Sequence, residues 1–127
     1  MATCAVYSFS GFPELPADQR SCHLHLHHDG YPAGAAWRFA ASLRHVGAAE
    51  SFLAAFRHTQ AEAIVLAGLA EAAEADYRYR LRLLPGSAGS IEVQCWRRHP
   101  ATSNWYPRCG SMPLRAFIQR FLPGDAL

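Results

Sequence analysis

The chain contains no lysine. All 12 of its basic residues are arginine, which excludes chemistry that runs through a lysine Schiff base. It has no apolar run near the roughly 18–20 residues of a membrane-spanning helix. Its richest window, Ala61 to Ala73, is interrupted by Glu62, Gly68 and Glu71. The four cysteines, Cys4, Cys22, Cys95 and Cys109, include no C-x-x-C pair, which argues against a zinc ribbon. The start Met1-Ala2-Thr3-Cys4 lacks the basic segment and apolar stretch of a secretory signal. A cytoplasmic, reduced protein is therefore expected, with the cysteines acting as small buried hydrophobes. Also missing are a Walker A glycine loop, G-x-G-x-x-G, G-x-S-x-G and H-E-x-x-H, so no standard nucleotide, hydrolase or zinc-protease signature sets the chemistry.

What is present suits one folded unit. The 127 residues are 50% hydrophobic and 17% charged. That composition excludes a disordered chain, and the length fits a single domain over residues 1–127. The net charge of +2 hides a split. Residues 1–76 carry four arginines against eight acids, and residues 77–127 carry eight arginines against two. Such asymmetry fits an oriented encounter with a charged partner, or simply a surface whose signs segregate along the chain.

Periodicity gives most of the elements. Cys4 to Phe9 reads as a strand. Ser21 to His28 alternates, with Cys22, Leu24 and Leu26 on one face and His23, His25 and His27 on the other, the mark of a half-buried strand. Gly34 to Val46 reads as a helix with Ala36, Phe39, Ala40, Leu43 and Val46 inward and Trp37 at the edge. Ala49 to His58 reads as a second helix. Glu62 to Ala73 reads as a third, although Ile64-Val65-Leu66 alone fits a short strand. Asp76 to Leu84 alternates tyrosine and leucine with Arg78, Arg80 and Arg82, and Ile91 to Arg97 follows after the turn Pro85 to Ser90. Those two form a hairpin. Arg98 to Gly110 reads as a loop, and Pro113 to Leu122 as a final helix ended by Pro123-Gly124. The expected fold is α+β: an antiparallel sheet of about four strands in two hairpins, with helices packed on one face.

Three clusters are candidates for function. Arg78, Arg80 and Arg82 share a strand face, with Trp96, Arg97 and Arg98 on or after the neighbouring strand. Arginine forks grip phosphate and carboxylate in pairs of hydrogen bonds, and tryptophan stacks on bases or guanidinium groups. The plain alternative is a solvated face whose charges discourage aggregation. Trp105, Tyr106 and Arg108 have the composition of a protein-binding hot spot, or else the aromatics fold back onto the core. His23, His25 and His27 project to one side about 6.5–7 Å apart and are candidate ligands for a divalent transition metal such as zinc, though a polar strand face needs no metal.

The segment His27-His28-Asp29-Gly30-Tyr31-Pro32 resembles a motif of small, mostly uncharacterised bacterial and phage proteins, in which a strand ending in His-Trp-Asp-Gly-Tyr-Pro runs into a helix. His27 matches the histidine of that motif, and His28 stands where the tryptophan is. Tyr77 to Leu81, Ile91 to Val93 and the Leu114 to Phe121 ending are similar to the family's second hairpin and terminal helix. The resemblance implies the same α+β layout and brings no catalytic residue or cofactor. It also implies a phage or mobile-element setting, where small proteins block host machinery as anti-CRISPR proteins do. From the residues themselves, Asp29 is expected to cap the helix or close the turn, and Tyr31 to plug the sheet–helix junction.

The leading expectation is a non-enzymatic interaction protein. It would engage an acidic protein surface or nucleic-acid-handling complex, or nucleic acid directly, through Arg78, Arg80, Arg82, Trp96, Arg97, Arg98, Trp105 and Arg108, with no cofactor. The alternative is a metal-binding protein or metal-dependent enzyme built on His23, His25 and His27. A homodimer is a third reading of the polar face or a sheet edge.

Overall fold

A computed structural model describes residues 3–86 and 90–122. The protein is α+β, with three α-helices among the described residues and one six-stranded sheet. The strands are β1 (Ala5–Ser10), β2 (Ser21–Leu26), β3 (Ile64–Leu66), β4 (Tyr77–Leu83), β5 (Ile91–Arg98) and β6 (Trp105–Pro113). The helices are α1 (Pro32–Leu43), α2 (Phe52–Thr59) and α3 (Leu114–Phe121). The spatial order is β3-β2-β1-β4-β5-β6. Every neighbouring pair is antiparallel except β1 and β4, which run parallel.

The sheet therefore has two more strands than expected, and it is mixed. Ile64–Leu66 forms edge strand β3 rather than part of a helix, and the expected loop after Arg98 contains strand β6. Pro107 and Pro113 disguised that strand. Proline cannot serve a central ladder, but an edge strand tolerates it, and β6 pairs only with β5, through register shifts on both sides of Cys95. The β4–β5 hairpin forms as expected, with Arg78 opposite Trp96, Arg80 opposite Gln94 and Arg82 opposite Glu92. Part of its turn lies outside the described residues, as does the Pro123-Gly124 ending.

The helices cover one face of the sheet. Strand alternation sends Tyr7 and Phe9, Leu24 and Leu26, Tyr79 and Leu81, and Val93 and Cys95 into a common core with Phe39, Phe52, Phe56 and Phe117. Tyr7 stacks on Tyr79 at 5.1 Å between ring centres, and Phe39 meets Tyr7 and Tyr79 edge-on, the offset and perpendicular geometries aromatic quadrupoles favour. Cys95 and Cys109 are buried and free, facing each other across β5 and β6. Their mutual hydrogen bond lowers the Cys109 thiol to about 7 and raises that of Cys95.

The Asp29-Gly30-Tyr31-Pro32 turn works differently from the expectation. Asp29 takes a left-handed backbone conformation, φ 52°, which short polar side chains tolerate. The residue capping α1 is Tyr31, without a side-chain cap bond, and Pro32 opens the helix. Tyr31 is not a plug: it is 55% exposed and only edges the Tyr77 ring. Pro32 is buried, and so is Gly30. A Cβ there would sit 2.8 Å from the Cys4 carbonyl oxygen, and its own carbonyl accepts a 2.5 Å hydrogen bond from the Tyr79 hydroxyl. Arg38, buried on α1, donates to the carbonyls of His28 and Asp29, to the Tyr7 hydroxyl and to Gln60. A buried guanidinium needs such saturation.

From β3 the chain must pass β2 and β1 to reach its place as β4. Residues 67–76 make that passage as a strap over one end of the face opposite the helices. Ala72 and Ala75 pack there on Val6, with Leu66, Leu69 and Trp105 around them. Arg98 fastens the strap. It donates to the carbonyls of Ala72, Ala75 and Ser103, and stacks on Trp105 at 4.1 Å.

Candidate functional site

The face opposite the helices gathers most of the polar residues singled out in the sequence. Across it, register aligns His23 with Ser8 and then Arg80 and Gln94, and aligns His25 with Val6 and then Arg78 and Trp96. Strand alternation alone puts the three arginines of β4 on this side, because Tyr77, Tyr79 and Leu81 are taken by the core.

The arginines are not equivalent. Arg78 and Arg80 both lie over the Trp96 ring, at 4.9 and 5.7 Å from its centre. Arg80 also donates to Gln94. Arg82, the most exposed, pairs with Glu92 at 2.8 Å, a surface pair of small energetic consequence. Hydrogen bonding from Ser111, followed by the Arg82 charge, holds the Glu92 carboxyl below its usual range. Arg78 is half-buried, and its Nε has no hydrogen-bond partner among the described residues. Burial, with Arg80 nearby, pushes its pKa down. A buried guanidinium N–H without an acceptor is costly.

The remaining expected binding residues divide. Arg98 and Trp105 stand at the end of this same face, where they hold the strap. Arg97 lies over Tyr77, and Arg108 over Phe121. Both of those rings belong to the helix side, so neither arginine joins the row on β4. Tyr106 is 38% exposed.

The histidines also separate. His23 hydrogen-bonds with the Ser8 hydroxyl through Nδ1 at 2.7 Å and with the Ser21 hydroxyl through Nε2 at 3.3 Å. Both of its ring nitrogens are engaged. Burial, then the Arg78 charge, lowers its pKa. His25 and His27 instead approach each other, with ring centres 4.5 Å apart at 82°. The residue that joins them is Cys4, whose sulfur lies 4.0 Å from His27 Nδ1. Sequence spacing cannot find Cys4, because its proximity depends on the register of β1 against β2. Burial pushes the Cys4 thiol up, reinforced by the carboxylates of Asp76 and Glu74.

Compared with known proteins, the chain matches no family model, no curated protein and no solved structure. No helix among the described residues is long and apolar enough to cross a membrane.

Proposed function

We propose that this is a non-enzymatic, cytoplasmic interaction protein that engages a negatively charged macromolecule through the sheet face opposite its helices. The observation that carries the reading is the row Arg78, Arg80 and Arg82 on a strand flanked on that side by Val6, Ser8 and Ser10 of β1 and by Glu92, Gln94 and Trp96 of β5, where Glu92 is the one acidic neighbour. Three guanidinium groups at strand spacing form a repeated donor array suited to carboxylates or phosphates.

An acidic protein surface fits better than nucleic acid alone. Trp96, the aromatic residue within the row, is already stacked by Arg78 and Arg80, so its ring is not offered to a base. In the form we favour, the partner is a protein that itself handles nucleic acid, and the chain is a phage or mobile-element inhibitor of it. The likeness of His27 to Pro32 to the bacterial and phage motif supports that setting.

The test is capture of partners from a lysate at low and moderate salt, with and without nuclease, using a tag other than polyhistidine. A stoichiometric protein that survives nuclease is expected. The variant Arg78→Glu/Arg80→Glu/Arg82→Glu is expected to lose it by at least about tenfold, since reversed charges turn each contact repulsive, while keeping its circular dichroism spectrum. Recovery that vanishes with nuclease would assign the face to nucleic acid. Undiminished capture by the folded triple variant would remove the face from the function.

A further inference from the structure

We propose that Cys4, His25 and His27 form a binding site for a borderline-soft transition metal ion of the zinc class, separate from the arginine row. The Sγ of Cys4 and one ring nitrogen from each histidine all lie within 4.8 Å of one another. In a tetrahedral zinc site, bond lengths of about 2.3 Å to sulfur and about 2.0–2.1 Å to nitrogen put neighbouring donors roughly 3.4–3.6 Å apart. Closing the observed separations to that value takes shifts of about 1 Å, within the reach of side-chain torsions.

The backbone holds the three residues in place before any ion arrives. Ala5 pairs with Leu26 and Val6 with His25, so the next outward pair beyond the ladder is Cys4 and His27. The Gly30 N–H bonds to the Thr3 carbonyl at 2.9 Å, extending that register past the end of β2. Cys4 is fixed further by its N–H donating to Asp76 at 3.1 Å, and by its carbonyl accepting from the Asp76 N–H at 2.9 Å. His25 is only 7% exposed, beneath the end of the strap, whereas His27 opens to solvent. One donor is thus enclosed and one accessible, which gives an ion a route of entry.

The donor set selects the ion. One thiolate and two imidazoles suit zinc, cobalt(II) or copper(I), and exclude magnesium and calcium, which take oxygen ligands. Binding replaces the thiol proton: the S–H bond breaks, an S–metal bond forms, and one proton goes to solvent. The carboxylates of Glu74 and Asp76 close by offset the remaining positive charge. Three protein ligands leave the fourth position for water or another ligand. Held this way, an ion would tie the start of β1 to the end of β2 beside the turn into α1.

Cobalt(II) titration of the full chain, purified without a polyhistidine tag, tests the site. About one equivalent is expected to bind, with thiolate-to-cobalt charge-transfer absorption and the visible bands of tetrahedral cobalt, displaced by zinc. Cys4→Ser, which keeps the side chain's size, should abolish the charge-transfer band. His27→Gln, at an exposed position, removes a direct ligand and should weaken binding by more than the roughly tenfold that loss of a mere supporting group costs a metal site. His23→Ala should leave the spectrum unchanged. Absence of a charge-transfer band in the wild type, its persistence in Cys4→Ser, or its loss in His23→Ala would each overturn the assignment. Each variant's thermal melt without metal establishes that it is folded when titrated.

Discussion

Arg98 and Arg78 lie on the same face of neighbouring strands, yet they have opposite hydrogen-bonding fates. Arg98 meets three backbone carbonyls and a tryptophan ring; Arg78 has a buried Nε with no partner among the described residues. The first is a fastening, and the second leaves a donor unmet beneath the proposed binding surface. Replacing Arg98 by lysine keeps the charge and loses the planar fork. The expected cost is about 2 kcal/mol of folding stability, read from denaturant unfolding. A change near zero would mean that the strap does not depend on it.

The two central tyrosines make a second prediction at this scale. Burial raises the Tyr7 hydroxyl to about 12, against a lowering by Arg38, and raises that of Tyr79 strongly. In the unfolded chain a tyrosine loses its proton near 10. Between about pH 10 and 12 the unfolded state therefore holds fewer protons than the folded one, and stability falls as pH rises. Below about pH 10 both states are protonated and the contribution is flat. Unfolding free energy measured across that range should decline, and less steeply in Tyr7→Phe. An equally steep decline in Tyr7→Phe would assign the effect elsewhere.

At the scale of elements, the chain's alternating segments were legible. In β2 and β4 every second residue is apolar, and in β5 the alternation holds from Ile91 to Cys95, so their faces followed directly from the sequence, and so did the shared side of the three arginines. Three features were not legible. Ile64-Val65-Leu66 is too short for periodicity to separate strand from helix. The prolines of β6 concealed an edge strand. The parallel pairing of β1 with β4 joins residues some seventy positions apart, and no local pattern encodes it. The same limit explains the candidate metal site: the alternation of His25 and His27 was visible, but Cys4 reaches them only through β1–β2 register, and His23 was drawn away by two serine hydroxyls.

The strap is the element whose behaviour follows from few contacts. It rests on Val6 through two alanines, is tied to Cys4 at its Asp76 end, and is fastened over Ala72 and Ala75 by Arg98. In Arg98→Lys, hydrogen exchange should accelerate at Ala72 and Ala75, whose N–H groups bond only within the strap, while the central amides of β4 and β5 keep their protection. Equal acceleration throughout would mean that the strap unfolds only with the whole sheet.

At the scale of the whole molecule, the sheet divides two tasks. One face buries an aromatic core under three helices. The other carries the arginine row, with the strap and the Cys4–His25–His27 cluster toward one end. The basic second half of the sequence is not confined to that face, since Arg108, Arg115 and Arg120 belong to the helix side or its rim. Net charge and a specific surface therefore make different predictions. The direct measurement compares two charge-matched variants in binding to the captured partner at moderate salt. One is Arg78→Glu/Arg80→Glu/Arg82→Glu on the sheet face, and the other is Arg57→Glu/Arg115→Glu/Arg120→Glu on the helices. The first is expected to lose binding by at least about tenfold and the second by no more than about twofold, the residue of long-range steering. Equal losses in both, or a greater loss in the helix variant, would contradict a binding role for the sheet face.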